Sequence, residues 1–431
     1  MKILMVDKYY FIKGGAERYF FELIKVLEEN GHTVVPFSMQ HPENFETPYE
    51  DDFVENIDFN KMPLMQKVLR MPEIAGRVIY YRKAQKKLAA LIEREKPDIA
   101  HVHMIDHQLS PSILATFKEF GIPIVQTCHQ YKLVCPSYRL FLMHKNEICE
   151  RCLNGNYMHA FIQKCHKNSY AASALVALEG YIHRMMKIHD LIDIFHVPSH
   201  FLGEKLIEGG FDASRVWHSF YTINMKDYPY HPEYENYFIY FGRLSEEKGI
   251  MTLLNAMKVQ PQAQLKILGD GPFAPALKKY AEQNQLNNVE FCGNVGGEKL
   301  VNLVQNCRFV VVPSEWYDNS PLVIYESFSM GKPVIVSTMG GMPELVDHGE
   351  NGYHFKAGDE KTLADLINKL WGDKELCMQM SVKARAKAEA EFSPEVHYKK
   401  IIALYRSLIM SQQSGLRLDA AALDEIIAVG A

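Results

Sequence analysis

No run of 18 or more apolar residues occurs in the 431-residue chain. A membrane-spanning helix needs about 20. The nearest approach, AASALVALEGYIHRMMKIHDLI at 171–192, is broken by Glu179, Arg184 and Lys187. The opening MKILMVDKYY is too short and too mixed for a secretion signal and reads as a first strand. A cytoplasmic protein is expected, its eight cysteines reduced or metal-bound rather than bridged. A surplus of positive charge is also missing. The net charge of −5 gives no nucleic-acid signal. No D-x-D triplet occurs, so no obvious carboxylate pair awaits a metal-bound diphosphate. The first glycine turn reads K-G-G-A-E-R rather than G-x-G-x-x-G, which makes a nicotinamide oxidoreductase an unlikely reading.

What is present is ordinary globular composition, 47% hydrophobic and 23% charged, and enough chain for two domains of about 200 residues each. Short runs are apolar throughout: KILMV (2–6), HTVVPF (32–37), DIAHVH (98–103), IPIVQTC (122–128) and DIFHVP (193–198), then YFIYFG (237–242), QLKILG (264–269), VEFCG (289–293), RFVVVP (308–313) and PVIVS (333–337). Apolar runs without alternation suit strands buried on both faces of a parallel sheet. Amphipathic segments lie between them. In ERYFFELIKVLEENG, Phe20, Leu23, Ile24 and Leu27 share one helical face, and Gly31 is a C-terminal stop. Alternating strand and helix predicts an α/β chain of two Rossmann-like, doubly wound parallel-sheet domains facing across a cleft. The expected boundaries are a first domain over 1–217, a Tyr- and Pro-rich linker over 218–234, a second domain over 235–390, a C-terminal helix over 391–411 that crosses back, and a tail over 412–431.

Residues 318–326, DNSPLVIYE, set one carboxylate at each end of an apolar stretch. Ser320 and Pro321 predict a helix start, with Ser as N-cap and Pro at the first helical position. Pro321 to Glu326 is then roughly 7–8 Å along the axis. Asp318 and Glu326 bracket a helix N-terminus, a natural phosphate site, and a sugar nucleotide, hydroxylated at both ends, fits between them. Solvated helix-end charges are the plainer reading for Asp318. FGRLSEEKG at 241–249 puts Arg243 and Lys248 on one loop after a strand, which suits a diphosphate as well as an exposed cation pair. ILGDGP at 267–272 ends a strand in a turn where backbone can approach a ligand.

KGGAER (13–18), PDIAHVH (97–103), FGRLSEEKG (241–249), LGDGP (268–272) and PSEWYDNSPLVIYESFSMGKPVIVSTMGGMPELV (313–346) together resemble the retaining glycosyltransferases of the GT-B fold in family 4, or group 1. The resemblance runs nearly end to end, though Asp318 stands where the family carries Glu. It implies that Glu326 binds the ribose, that Asp318 lies by the donor sugar, and that Asn319, Ser320, Pro321 and Leu322 line the sugar and phosphate pocket. Arg243 and Lys248 would hold the diphosphate, Gly14 and Gly15 would face the phosphates, and Gly293, Asn294 and Val295 would meet the nucleobase. His129, otherwise readable as a structural histidine at a strand end, matches the histidine beside the donor sugar. The implied reaction is metal-independent transfer of a sugar from a nucleotide-diphosphate donor to a glycan or lipid-linked acceptor. The rival readings are a sugar-nucleotide epimerase on the same fold and a non-catalytic nucleotide-sugar binding protein.

Two features stand apart. Cys135, Cys149, Cys152 and Cys165 fall within a 31-residue stretch around one C-x2-C. They read as a structural zinc site, not a catalytic one, or as ordinary thiols in a loop. Residues 61–88 carry eight Lys or Arg against one Glu, with apolar residues interspersed. They read as a surface for an anionic membrane, placing the protein at its inner face, or as a solvated helix packed on the first domain.

Overall fold

The computed structural model describes residues 1–57, 63, 65, 69–415, 418–421 and 423. Their contacts divide the chain into two units. The first holds Met1–Leu140, Cys149–Ser219 and the chain from His397, and the second holds Phe141–Ile148 and Phe220–Val396.

The first unit is built on a six-stranded parallel sheet of β1 (Lys2–Val6), β2 (Thr33–Phe37), β3 (Ile99–Val102), β4 (Ile124–Thr127), β7 (Ile194–Val197) and β8 (Val216–His218), in the order β2-β1-β3-β4-β7-β8. β1, β3, β4 and β7 are buried along almost their whole length, as uninterrupted apolar runs require. Pro36 is tolerated because β2 is an edge strand, bonded only to β1. The helix Gly15–Glu29 buries Phe20, Leu23, Ile24 and Leu27, and Gly31 takes the left-handed conformation that ends it.

The second unit repeats the plan. β9 (Phe238–Phe241), β10 (Leu265–Leu268), β11 (Val289–Gly293), β12 (Val310–Val312), β13 (Val334–Ser337) and β14 (Gly352–Phe355) run parallel in the order β11-β10-β9-β12-β13-β14. The chain winds outward from β9 through β10 to β11, then restarts at β12 and winds the other way. Only Ile239 and Val310 are in register between β9 and β12. Side-chain packing reinforces this thin ladder, with Phe238 and Phe309 stacked at 4.7 Å and both fully buried. Burying each phenyl contributes roughly 1.5–3 kcal/mol.

The ten apolar runs each contain a strand. β8, β14 and the hairpin of β5 (Phe141–Leu142) with β6 (Glu147–Ile148) went unforeseen. They are short and mixed in polarity, and β8 and β14 lie at sheet edges, where one face or flank is wet. Residues 219–236 form neither helix nor strand, yet they are tied down, Tyr221 N–H donating to Tyr325 Oη at 3.3 Å and Ile223 N–H to the Phe392 carbonyl at 3.1 Å. The C-terminal helix Pro394–Ser414 starts beside Ser393, whose hydroxyl accepts the Val396 N–H. In 61–88, Leu64 and Val68 lie outside the described residues. Ile74 and Val78 are buried in the first unit, so they do not offer a face to a bilayer, whereas Leu69 and Tyr80 are exposed.

Candidate active site

The carboxyl ends of β9 and β12 are where the second sheet reverses its winding. Chains leaving adjacent strands in opposite directions open a crevice there. The loop after β9 carries Arg243 and Lys248, and the loop after β12 carries Ser314 to Pro321. Lys248 Nζ is 2.5 Å from Asp318 Oδ2, and the Ser314 hydroxyl donates to the same oxygen at 3.0 Å. Lys248 also lies over the Trp316 ring, 5.3 Å from its centroid. Asp318 is buried at 8% exposure, so salt screens this pair less than a surface pair. Arg243 is exposed on the same loop.

Two glycines let these loops close. Gly249, at φ 67°, follows Lys248, and a Cβ there would overlap the Pro313 carbonyl. Gly340, at φ 61°, would overlap the Asp318 backbone if it carried a Cβ, and the Gly341 N–H donates to the Asp318 carbonyl at 2.9 Å. Only glycine combines a left-handed backbone with such approach.

The helix after Asp318 differs in detail from the prediction. It spans Leu322–Ser329, with Pro321 as N-cap in extended conformation and no side-chain cap. Ser320 does not cap because its hydroxyl pairs with Tyr325 Oη at 2.6 Å. The helix therefore begins one residue late, and its N-cap Pro321 supplies no side-chain hydrogen bond to its first N–H groups, a helix N-terminus that an anion would complement. Glu326 is buried inside this helix and accepts from Tyr228 Oη at 3.4 Å. Gly293 ends β11 at φ 72° and its carbonyl accepts the Gly269 N–H at 2.7 Å, while Asn294 is exposed beyond it. The fold thus gathers Lys248, Asp318, Asn319, Ser320, Pro321 and Leu322 and places Glu326 one turn further. Gly293, Asn294 and Val295 lie two strands away.

In the first unit the analogous reversal lies between β1 and β3. Asp7 follows β1 directly. Its carboxyl accepts the N–H groups of Tyr9 at 2.9 Å and Met104 at 3.2 Å, joining the two loops. Burial, then the neighbouring Glu17, push its pKa up to about 8. His129 follows β4. Its Nε2 is 2.9 Å from Nδ1 of His103, which follows β3. Burial first, then the nearby His196 and Lys8, pull the His129 pKa down to about 3, and burial likewise holds His103 well below its usual range. Both rings are neutral at ordinary pH, so one donates and the other accepts. At the glycine turn, Gly14 is the extended N-cap of the first helix and has no side chain of its own to cap with. The Glu17 carboxylate takes its own N–H and that of Gly14, so part of the expected phosphate cradle is used internally.

Residues 13–221 match the family described as Glycosyltransferase Family 4, and residues 224–387 match Glycosyl transferases group 1. The chain belongs to the group 1 glycosyltransferases. An uncharacterised glycosyltransferase of Methanocaldococcus jannaschii is 23% identical to it over 402 residues, covering 93% of this chain and 96% of that protein. The solved structure of sucrose-phosphate synthase from Thermosynechococcus elongatus superposes with a TM-score of 0.67 at 18% identity, covering 95% of this chain and 99% of that one. The Anabaena protein HepE in complex with UDP gives 0.63 at 18%, covering 94% and 100%. With the two six-stranded parallel sheets, these likenesses establish the GT-B fold.

Within this glycosyltransferase, reasoning from sequence missed Asp7, His103, Ser314 and Tyr228. Asp7 and His103 each stand immediately after a buried strand, the one signal that could have found them. Ser314 lies inside the long motif, but nothing local marks it as a partner of Asp318. Tyr228 is distant in sequence from Glu326.

Asp7 gives a test by pH. An unfolded Asp titrates near 4 and folded Asp7 near 8. Folding therefore takes up a proton in that window, and Asp7's contribution to stability is lost as pH rises through it. The buried histidines titrate in wild type and variant alike, so the difference reports Asp7 together with the Glu17 carboxyl coupled to it. The melting temperature of Asp7→Asn relative to wild type should rise from pH 5 to pH 8. A difference that stays flat across that range would place Asp7 in an ordinary, solvated state.

Proposed function

We propose that the protein is a retaining, metal-independent hexosyltransferase of polysaccharide or glycoconjugate assembly. It moves a sugar from a nucleoside-diphosphate donor to a glycan or lipid-linked acceptor. The observation that carries this reading is the set Lys248, Asp318 and Glu326 around the N-terminus of the helix Leu322–Ser329. Positive charge on Lys248 and Arg243, with the helix N–H groups, meets the charge that develops on the departing diphosphate. Glu326 accepts from the ribose hydroxyls, and Asp318 orients Lys248 while reaching the donor sugar. The neutral imidazole of His129 hydrogen-bonds the sugar. The bond from the anomeric carbon to the diphosphate oxygen breaks. The acceptor oxygen bonds to that carbon on the same face, and its proton passes to a phosphate oxygen, so configuration is kept. UDP bound to the Anabaena neighbour makes uridine the first base to try.

Thermal shifts against UDP, GDP, ADP, CMP and NAD should show stabilisation by one nucleoside diphosphate. Glu326→Ala and Lys248→Ala should each weaken it by about tenfold or more, the loss of a charge-assisted hydrogen bond worth about 1.5–3 kcal/mol. Stabilisation by NAD alone, or by nothing, would remove the donor from this reading.

His129→Ala should lower kcat far more than donor affinity. Because burial keeps the ring neutral down to about pH 3, the kcat profile of the wild type should show no limb near pH 6.5 that the variant lacks. Equal losses in kcat and affinity would make His129 a binding residue only.

An anionic membrane is the proposed partner surface, at its cytoplasmic face. Support comes from the helix Tyr170–Met185 rather than from 61–88. Tyr170, Ala174, Leu178, Tyr181 and Met185 recur at helical spacing on its outer face, with Met185 78% exposed. The charges between 157 and 188 are Lys164, Lys167, Arg184, Lys187 and Glu179, and Glu179 is buried against Lys132 at 2.8 Å. The exposed charges of that segment are all cationic, as an anionic lipid surface requires. Among the described residues no helix is long and apolar enough to cross a membrane. Flotation with phosphatidylglycerol-containing vesicles, and not with phosphatidylcholine alone, is expected, with loss in Leu178→Glu/Met185→Glu. An absence of any lipid-dependent shift would sink the membrane reading.

A further inference from the structure

The crossover between β4 and β7 is far longer than a single helix needs, and its first part, 135–169, is poorly supported. Its regular structure is the two-residue strands β5 and β6 and the five-residue helix Met158–Ile162. The apolar cluster beneath it consists of Cys152, Tyr157, Ala160 and Ala177, with Cys165 packed against them. Two of these five are cysteines and two are alanines, so the part of the lobe around Cys152 and Cys165 has little apolar core of its own beyond the buried Leu140, Phe141 and Leu142. The backbone is also unusually constrained. Among the described residues, eleven other than glycine have positive φ, and Tyr138, Leu140, Asn146, Lys164, Lys167 and Asn168 are six of them. Such conformations persist only where surrounding structure over-determines them.

The four thiols converge in this lobe. The turn at Cys135 closes through Tyr138 N–H to the Cys135 carbonyl at 2.8 Å, and the chain returns with Cys149 N–H donating to the Leu140 carbonyl at 2.8 Å. Cys152 follows, and its own turn closes at Gly155, φ 82°, whose N–H reaches the Cys152 carbonyl at 2.8 Å. Cys165 joins Cys152 in the shared cluster. All four are free thiols. No three of the sulfurs lie mutually within 4.8 Å. A tetrahedral thiolate site has sulfur–sulfur edges of about 3.8 Å, so binding requires the sulfurs to draw together.

We propose that Cys135, Cys149, Cys152 and Cys165 bind one structural Zn²⁺. The ion supplies the cross-link that the lobe lacks in apolar core. Four soft thiolates select zinc or iron over magnesium or calcium. The ion has no part in sugar transfer. It braces the loop that follows His129: Lys132, three residues before Cys135, is held by Glu179 at 2.8 Å and by the Pro136 carbonyl at 3.3 Å. Tyr157 packs on Gly180 of the same helix as Glu179, where a Cβ would meet the tyrosine ring.

Metal analysis of full-length wild type purified without chelator tests this directly. One zinc per chain is expected, released in step with titration of four thiols by an organomercurial. Cobalt substitution should give thiolate-to-metal absorption and the visible bands of a tetrahedral ion. Cys135→Ser and Cys165→Ser should lose the ion and melt earlier, whereas Cys307→Ser, outside the lobe, should keep it. Because the wild-type measurements need no variant, misfolding of a serine mutant leaves the test intact. Zinc and iron both far below one per chain with no cobalt–thiolate band, or a disulfide between any two of the four, would overturn the proposal. One iron per chain on the same thiols would overturn the choice of metal.

Discussion

The ion pair between Lys248 and Asp318 is the interaction around which the second unit is arranged. Neither residue could hold the other without backbone meeting backbone on both sides, Gly249 against Pro313 and Gly340 against Asp318. The pair also spans the two directions in which the sheet winds, since Lys248 belongs to the half of β9 and Asp318 to the half of β12. A shielded pair at that point fixes two loops whose strands share a single registered residue. The same pair couples the two roles read from the motif, because the lysine meant for phosphate is oriented by the acid meant for sugar.

Apart from the buried pair of Lys132 with Glu179, the first unit handles its polar interior differently. It buries Asp7, His101, His103 and His196, leaves His129 partly exposed, and lets desolvation, rather than charge pairing, decide their protonation. His101 contacts Tyr405 Oη at 2.5 Å and Thr127 Oγ1 at 2.7 Å, and Thr127 passes the chain on to His196 at 2.9 Å. A neutral, hydrogen-bonded network is rigid without electrostatic cost. A histidine at its edge is therefore a fixed donor or acceptor rather than a proton store.

The strand core and the long motif at 313–346 were legible in the sequence because both are local: buried parallel strands are continuous apolar runs, and a helix N-terminus with flanking acids lies within nine residues. The edge strands β8 and β14 were not, since half-wet strands of three or four residues carry no distinctive pattern. Likewise Ser320 has the composition of an N-cap, and only Tyr325 folding back onto it shows why it does not cap. The basic stretch 61–88 has the composition of a membrane-facing helix, but burial of Ile74 and Val78 depends on what packs over them.

The sequence by itself determined the family and the two-sheet α/β plan, because each is written in short-range order along the chain. Only the tertiary structure decided that Lys248 pairs with Asp318, that Glu17 occupies the Gly14 N–H, and that His129 is neutral. Those outcomes depend on distances between residues far apart in sequence and on exclusion of water, and neither quantity exists until the chain has folded.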